Sequence, residues 1–184
     1  PGSWSIGSSN GYPLVSLGNI ALLIQGTFGG HVGDMGAIVT SDPANITAIS
    51  LKTGSLGSVL WRQTYPQATG NNTRLLSAWD PTTGVFIFVD KETFARYGYS
   101  LSTGSQLWGP VYPPNTPTDA WNFMIWTQDV CAYGNEYCSG YAGILYCWDD
   151  LTGELKWTYG AGGEGNSTNA GFTTPYGVYP QFVA

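Results

Sequence analysis

This chain has few charged residues and no long apolar run. Charged side chains make up only 10% of its 184 residues, and six of them are Lys or Arg. Nucleic acids and anionic membranes bind proteins through clustered Lys and Arg, so this scarcity and the net charge of −6 argue against both partners. No stretch approaches the roughly 20 apolar residues that a membrane-spanning helix needs, so we expect no membrane insertion.

Residues that carry catalysis are equally scarce. Nucleophilic catalysis by Ser or Cys needs a base at hydrogen-bond distance, and the single histidine, His31, lies in a glycine-rich stretch without a surrounding motif. Several carboxylates are candidates for an acid–base pair, but nearly all fall at expected turns, where Asp normally caps its own backbone. These are Asp80, Asp90, Asp129, Asp149, Asp150 and Glu154. We therefore predict no catalytic residue.

Aromatic residues are abundant. The chain is 42% hydrophobic and 15% aromatic, which indicates a packed globular body. Eight Trp and twelve Tyr are compatible with a sugar-stacking surface, because aromatic faces bind carbohydrate rings. They are also compatible with a core between sheets, and the repeat described next favours the core.

A repeat with a period near fifty organises the sequence. Thr-Gly pairs at residues 53–54, 103–104 and 152–153 lie 50 and 49 residues apart, and each is followed by a tryptophan. The residue five before each Thr is small. Trp108 and Trp157 each stand five residues after their Thr, whereas three extra residues precede Trp61. The repeat residues are Ala48, Trp61, Gly98, Trp108, Cys147 and Trp157. Three copies at one period indicate a repeat architecture.

This pattern resembles the tryptophan-bearing repeat of the pyrroloquinoline-quinone-like β-propellers, Ala-x-Asp-x-x-Thr-Gly-x-x-x-Trp. The third copy fits best, with Asp149 at the Asp position, whereas Ser50 and Ser100 replace that Asp in the other copies. The resemblance implies an all-β propeller of four-stranded antiparallel blades. It also implies that each tryptophan lies on the outermost strand of a blade and packs toward the small residue of the neighbouring blade.

The resemblance implies the fold without the cofactor. Dehydrogenases of that family bind the quinone through an adjacent Cys-Cys pair in many members, a calcium-binding set and an Asp near the axis. No Cys-Cys pair occurs here, and the acidic set matches no position of this chain. We therefore expect no cofactor, with pyrroloquinoline quinone and calcium as the alternative.

Turn residues divide the chain into about three blades. We predict blade one over residues 11–65, blade two over 74–112 and blade three over 121–160, with a long break at residues 28–44. Residues 1–9 are typical of the outer strand of a preceding blade, and 174–184 of the inner strand of a following one. The expected partners are therefore the remaining blades of a parent protein or another copy of this chain, because an open arc exposes apolar blade faces.

Two cysteines are candidates for a disulfide. Cys131 and Cys138 flank a six-residue segment that is typical of a hairpin, so we predict a disulfide in an oxidising compartment, with two free thiols as the alternative. A metal site is disfavoured because tetrahedral zinc needs four ligands at tighter spacing. Cys147 matches the small repeat position, so we predict a buried residue beneath a neighbouring ring.

Three Asn-x-Ser/Thr sequons stand at Asn45, Asn71 and Asn166, each in an expected loop, and are candidate glycosylation sites. Together these features predict a non-catalytic protein that is secreted, on the cell surface or periplasmic. It would act as a protein or glycan interaction platform or as a scaffold. The alternative is a fragment of a quinone-dependent dehydrogenase whose active site lies mostly elsewhere.

Overall fold

The described residues form strands and turns. The computed structural model describes residues 13–25, 38–40, 43–70, 72, 74–90, 92–114, 129–139 and 145–159. The strands in chain order are β1 (Pro13–Ser16), β2 (Ile20–Gln25), β3 (Ile38–Thr40), β4 (Ala44–Ser50), β5 (Val59–Tyr65), β6 (Arg74–Asp80), β7 (Val85–Asp90), β8 (Ala95–Ser100), β9 (Gln106–Val111), β10 (Val130–Ala132), β11 (Asn135–Ser139), β12 (Leu145–Asp149) and β13 (Leu155–Tyr159). In these ranges no helix has the length and apolarity to cross a bilayer.

The strands form three antiparallel sheets, which we call blades one, two and three. Blade one has the order β1-β2-β4-β5, blade two contains β6-β7-β8-β9, and blade three is β10-β11-β12-β13. Sequence patterns predict blade-two strands at residues 74–79, 85–90, 94–101 and 106–111, and each agrees with the structure within one residue at each end. This agreement follows from its Pro-, Asp- and Gly-containing turns, which separate runs of alternating side chains.

Blade two lies between the other two blades. All of β7 is buried, because its side chains alternate between the two faces of the sheet and both faces are covered by packed side chains. Phe86 and Phe88 pack with Trp61 and Tyr65 of blade one, with ring centroids 5.3–6.1 Å apart. Ile87 and its neighbours on the other face belong to a cluster that includes Cys131 of blade three. Sheets stacked face to face in chain order form a β-propeller of about three blades, which confirms the predicted fold class.

The long break in blade one contains a strand that sequence analysis did not predict. β3 pairs antiparallel with β6, with Ile38 opposite Leu76 and Thr40 opposite Arg74. Blade two therefore has a fifth strand that covers the edge of β6. The predicted flanking strands at residues 1–9 and 174–184 lie outside the described residues.

Blade three differs from its prediction in strand positions. Sequence analysis assigned strands to 121–127, 130–133, 141–148 and 154–159, but the structure begins the described sheet at β10 and adds β11. The reason is a two-residue hairpin turn at Tyr133 and Gly134, which have φ values of +54° and +74°. A Tyr with positive φ is uncommon, so the hairpin predicted between Cys131 and Cys138 was not assigned to these two turn residues. Residues 121–127 lie outside the described part.

Replacing Gly98 with Ala should destabilise the protein by roughly 1–3 kcal/mol, the usual cost of overpacking a core. A Cβ added at Gly98 would overlap the Trp108 indole, so the indole would have to move. The measurement is the free energy of unfolding in urea. The matched variant is Ala48→Gly at the equivalent position of blade one, which should cost only about 0.5–1 kcal/mol. Equal stability of G98A and the unsubstituted protein would contradict this packing.

Candidate functional site

The outer-strand tryptophan of blade one binds the turn of blade two. Trp61 is 9% exposed, and its Nε1–H donates a hydrogen bond of 2.7 Å to the carbonyl of Leu101. Its ring covers Gly104, where an added Cβ would lie 2.8 Å from Trp61 Cε3. Gly104 also has a φ of +74°, so both space and backbone conformation require glycine there. We call this arrangement the indole–turn contact.

The same contact joins blades two and three. Trp108 is also 9% exposed and donates from Nε1 to the carbonyl of Asp150 at 2.8 Å. Its ring covers Gly153, which has a φ of +72° and whose added Cβ would lie 2.5 Å from Trp108 Cε3. The contact therefore recurs with an indole N–H as donor, a turn carbonyl as acceptor and a glycine at the equivalent position of the turn.

The small repeat residues lie beneath the tryptophan of their own blade. Strand register places Ala48 opposite Trp61, Gly98 opposite Trp108 and Cys147 opposite Trp157. The resemblance implied instead that the tryptophan packs toward the small residue of the neighbouring blade. That expectation needs correction, because the neighbouring blade presents its turn glycine and a turn carbonyl.

The first copy of the repeat also aligns differently in space. The amide of Gly57 donates to the carbonyl of Ser50, as the amide of Gly104 donates to Ser100. Gly57, with a φ of +81°, therefore occupies the position of Gly104, and not the Gly54 that the Thr-Gly pattern indicated. The three extra residues of blade one lie within this turn, before Gly57.

Trp157 of blade three is exposed, unlike its two equivalents. It is 44% exposed, and no turn of the described residues covers it. Register places Tyr137, Cys147 and Trp157 side by side on one face of the sheet, with the Tyr137 and Trp157 ring centroids 6.0 Å apart. Tyr159 lies two residues along the same strand and is 72% exposed. We call Tyr137, Trp157 and Tyr159 the open face.

A polar group borders the open face. Lys156 Nζ lies 2.8 Å from Asp149 Oδ2 and donates to Asn135 Oδ1 at 2.6 Å. The hydrogen bond from Lys156 lowers the pKa of Asp149. The apolar face thus has a charged rim, which is the usual composition of a protein-binding surface.

A buried ion cluster, Arg96, Asp129 and Glu136, joins blades two and three. Arg96 donates to Asp129 Oδ2 from Nη2 at 2.6 Å and from Nη1 at 3.2 Å, and its Nη2 lies 3.4 Å from Glu136 Oε1. Ser77 donates its hydroxyl to the same Asp129 oxygen. Breaking a buried ion pair leaves an uncompensated charge, so this cluster fixes the two blades against each other.

Glu136 is the unusual member of the cluster. It is fully buried, and neither carboxyl oxygen accepts a hydrogen bond from a described residue. Burial raises the pKa of Glu136 to about 8, with Arg96 opposing the shift and Asp129 adding to it. Burial alone would lower the pKa of Arg96, but Asp129 outweighs it and raises that pKa.

Five of the six carboxylates considered for catalysis have structural partners among the described residues, whereas Glu154 is exposed. Asp80 and Asp149 accept hydrogen bonds from the turn amides that follow them, as expected for turn Asp. Asp90 instead binds Arg74 through both oxygens, at 2.7 and 2.9 Å. Asp150 accepts a hydrogen bond from a blade-two hydroxyl. Among the described residues, no three His, Cys, Asp or Glu side chains are arranged to hold a metal ion.

The cysteines are free thiols in the structure. The disulfide predicted between Cys131 and Cys138 is not formed there, because Cys131 lies opposite Glu136 and is only a diagonal neighbour of Cys138. Diagonal pairs are about 7–8 Å apart, beyond the usual ~4.4–6.8 Å between disulfide-bonded Cα atoms. Burial raises the pKa of all three thiols, so none is an activated nucleophile. Cys147 is fully buried beside Trp157.

Only one sequon falls on described residues. Asn45 is exposed, but it lies in β4 and not in the predicted loop, and its Oδ1 accepts a hydrogen bond from Thr64 at 2.6 Å. Asn71, Asn166 and His31 lie outside the described residues.

Sequence analysis missed the buried ion cluster. Its members come from different blades, so no local spacing connects them. A signal was nevertheless present: Arg96 and Glu136 are charged residues within strand segments of a chain that has few charges.

Comparison with known proteins shows limited likeness. No protein-family model and no curated protein matches this chain. A solved structure described as BamB from Moraxella catarrhalis is similar, with a TM-score of 0.37 and 16% sequence identity. The match covers 82% of this chain and 46% of that one, so this chain spans about half of its length. A likeness at this level identifies neither a family nor a function.

Replacing tryptophan with phenylalanine should affect the three repeats unequally. Trp61→Phe and Trp108→Phe each remove a buried N–H donor and part of a buried ring, so each should cost roughly 1–3 kcal/mol of unfolding free energy. Trp157→Phe serves as the matched control and should cost less than about 0.5 kcal/mol, because its indole is exposed. Urea denaturation of the three variants measures the difference. Equal losses in all three would contradict the indole–turn contact.

Glu136 should make the protein less stable as the pH rises. Its folded pKa lies above the usual 4.5, so the unfolded chain releases the proton first, and stability falls between about pH 4.5 and 8. The slope from this residue should approach ~1.4 kcal/mol per pH unit. Urea denaturation at several pH values should show a shallower slope for Glu136→Gln.

The control for this prediction is Glu154→Gln, because Glu154 is an exposed residue of the same blade. This variant should keep the slope of the unsubstituted protein. If E136Q and E154Q have the same pH dependence, Glu136 is not the buried proton-binding group.

Proposed function

We propose that this protein is a non-catalytic β-propeller platform, located outside the cytoplasm, that binds another protein through the open face of blade three. The supporting observation is the difference between equivalent tryptophans. Trp61 and Trp108 are 9% exposed beneath the turn of the next blade, whereas Trp157 is 44% exposed. The open face thus presents an outer-strand tryptophan, the residue that binds the turn of the next blade at two other places in the chain.

The chemistry of the open face favours a protein partner. Clustered Trp and Tyr side chains are typical of the residues that contribute most to protein–protein binding. A buried indole N–H also needs an acceptor, and in both internal contacts that acceptor is the carbonyl of a turn. A glycan could stack on the same rings, but the internal contacts favour a polypeptide turn.

The location outside the cytoplasm rests on the sequons. Asn45 is exposed, so its side chain is accessible to glycosylation. Glycosylation of Asn45 is part of the proposal.

Binding of a turn to Trp157 can be tested with a defined probe. A cyclic peptide that reproduces the hairpin over residues 99–106 carries the Thr103-Gly104 turn that covers Trp61 in the protein. Isothermal titration should show binding to the unsubstituted protein and at least tenfold weaker binding to Trp157→Ala, which corresponds to about 1.4 kcal/mol.

The matched control for the peptide experiment is Tyr133→Ala, because Tyr133 is an exposed ring of blade three outside the open face. It should leave peptide binding unchanged. No binding, or equal binding to W157A, would contradict the proposal. Titration with oligosaccharides tests the glycan alternative on the same variants.

The competing function, a fragment of a quinone-dependent dehydrogenase, can be tested by reconstitution. Pyrroloquinoline quinone and calcium would be added to the protein, followed by measurement of quinone absorbance and dye-linked oxidation of alcohols or sugars. A stoichiometrically bound quinone would overturn the platform proposal.

A further inference from the structure

We propose that the partner at the open face is a second copy of this chain, which places the Gly57 turn of its blade one against Trp157. This inference rests on the proposed function and names the partner of the same surface. The two ends of the described arc then act as complementary halves of one indole–turn contact.

The turn of blade one is built like the two turns that receive an indole. The amides of Leu51, Leu101 and Asp150 hold equivalent positions, and each donates to a carbonyl in or beside the first hairpin turn of its own blade, at 2.9, 2.7 and 3.2 Å. Leu101 and Asp150 are the residues whose carbonyls accept the indole N–H. The carbonyl of Leu51 is therefore the corresponding acceptor in blade one.

The glycine position of this turn is open. An added Cβ at Gly104 or Gly153 would lie under 3 Å from a tryptophan ring, whereas one at Gly57 would have no described atom within 4 Å. Leu56, next to Gly57, is 73% exposed. Among the described residues, blade one thus presents an uncovered glycine and an apolar side chain where the other blades hold an indole.

The donor half lies at the opposite end of the arc. The other face of blade three is buried against blade two, where Tyr146 and Trp148 pack with Phe94 and Glu136 lies beside Arg96. The open face therefore points away from blade two, in the direction in which Trp61 and Trp108 point from their own blades. Blade one of a second chain, placed against the open face, would follow blade three as blade two follows blade one.

This association is head to tail. Each chain carries Trp157 at one end and the Gly57 turn at the other. When two chains associate, Trp157 of one chain contacts the Gly57 turn of the other, and one Trp157 and one Gly57 turn stay unused. Such heterologous contacts form rings when the rotation between copies closes, and open chains when it does not.

The closing experiment uses complementing variants of the full 184-residue chain. Sedimentation velocity should show self-association of the unsubstituted protein that increases with concentration. Trp157→Ala and Gly57→Asn should each weaken it at least tenfold. Asn tolerates positive φ and would meet no described atom at this position, so G57N should keep its fold while its Cβ excludes an incoming ring.

An equimolar mixture of W157A and G57N distinguishes this arrangement from others. The G57N chain keeps its indole and the W157A chain keeps its turn, so the mixture should form one-to-one dimers and no larger species. Matched controls are Gly54→Asn, a positive-φ glycine of the same turn, and Tyr133→Ala. Both should associate like the unsubstituted protein.

The possible results distinguish failure of the second-copy proposal from failure of the platform proposal. A mixture that stays monomeric, or G57N that associates normally, overturns the head-to-tail contact. An unsubstituted chain that is monomeric at all concentrations but binds the cyclic hairpin at Trp157 overturns the second-copy partner and leaves the platform proposal standing. A monomeric chain that also fails to bind the hairpin overturns both.

Discussion

A buried indole N–H must have a hydrogen-bond acceptor, and in both internal contacts of this protein the acceptor belongs to the next blade. This requirement links sequence to architecture. Trp61 and Trp108 place apolar rings between successive sheets, while their N–H groups bind carbonyls at one defined point of the facing turn. The ring lies so close to that turn that only glycine fits. One residue thereby supplies packing and register to two sheets that share no backbone ladder.

The two described blade interfaces otherwise differ in character. Blades one and two meet through a cluster of aromatic rings, including Tyr65, Phe86 and Tyr99. Blades two and three add the buried ion cluster, in which Arg96 is shared between two carboxyl groups. Buried ions contribute little net stability because desolvation is costly, but they penalise any arrangement that separates the partners. The second interface therefore combines apolar packing with a buried ionic contact.

Much of the fold was predictable because it depends on local signals. The spacing of Thr, Gly and Trp predicted the repeat, and alternating side chains predicted the strands of blade two. Features that depend on long-range pairing were not predictable. The Arg96–Asp129 pair joins two blades, β3 pairs outside its own blade, and the diagonal placement of Cys131 and Cys138 depends on a strand register that spacing does not determine. The position of the hairpin turn at Tyr133 was missed because Tyr rarely adopts positive φ.

The indole–turn contact also has a direction. Every described blade offers an indole on one side and a turn on the other, so the contact distinguishes forward from backward along the series. A unit that carries both halves is compatible with any neighbour of its own kind. Tandem duplication of a blade-sized segment would therefore insert a module that fits on both sides without further substitutions. The contact itself contains no stop signal, so the final number of modules must be set by the geometry of closure.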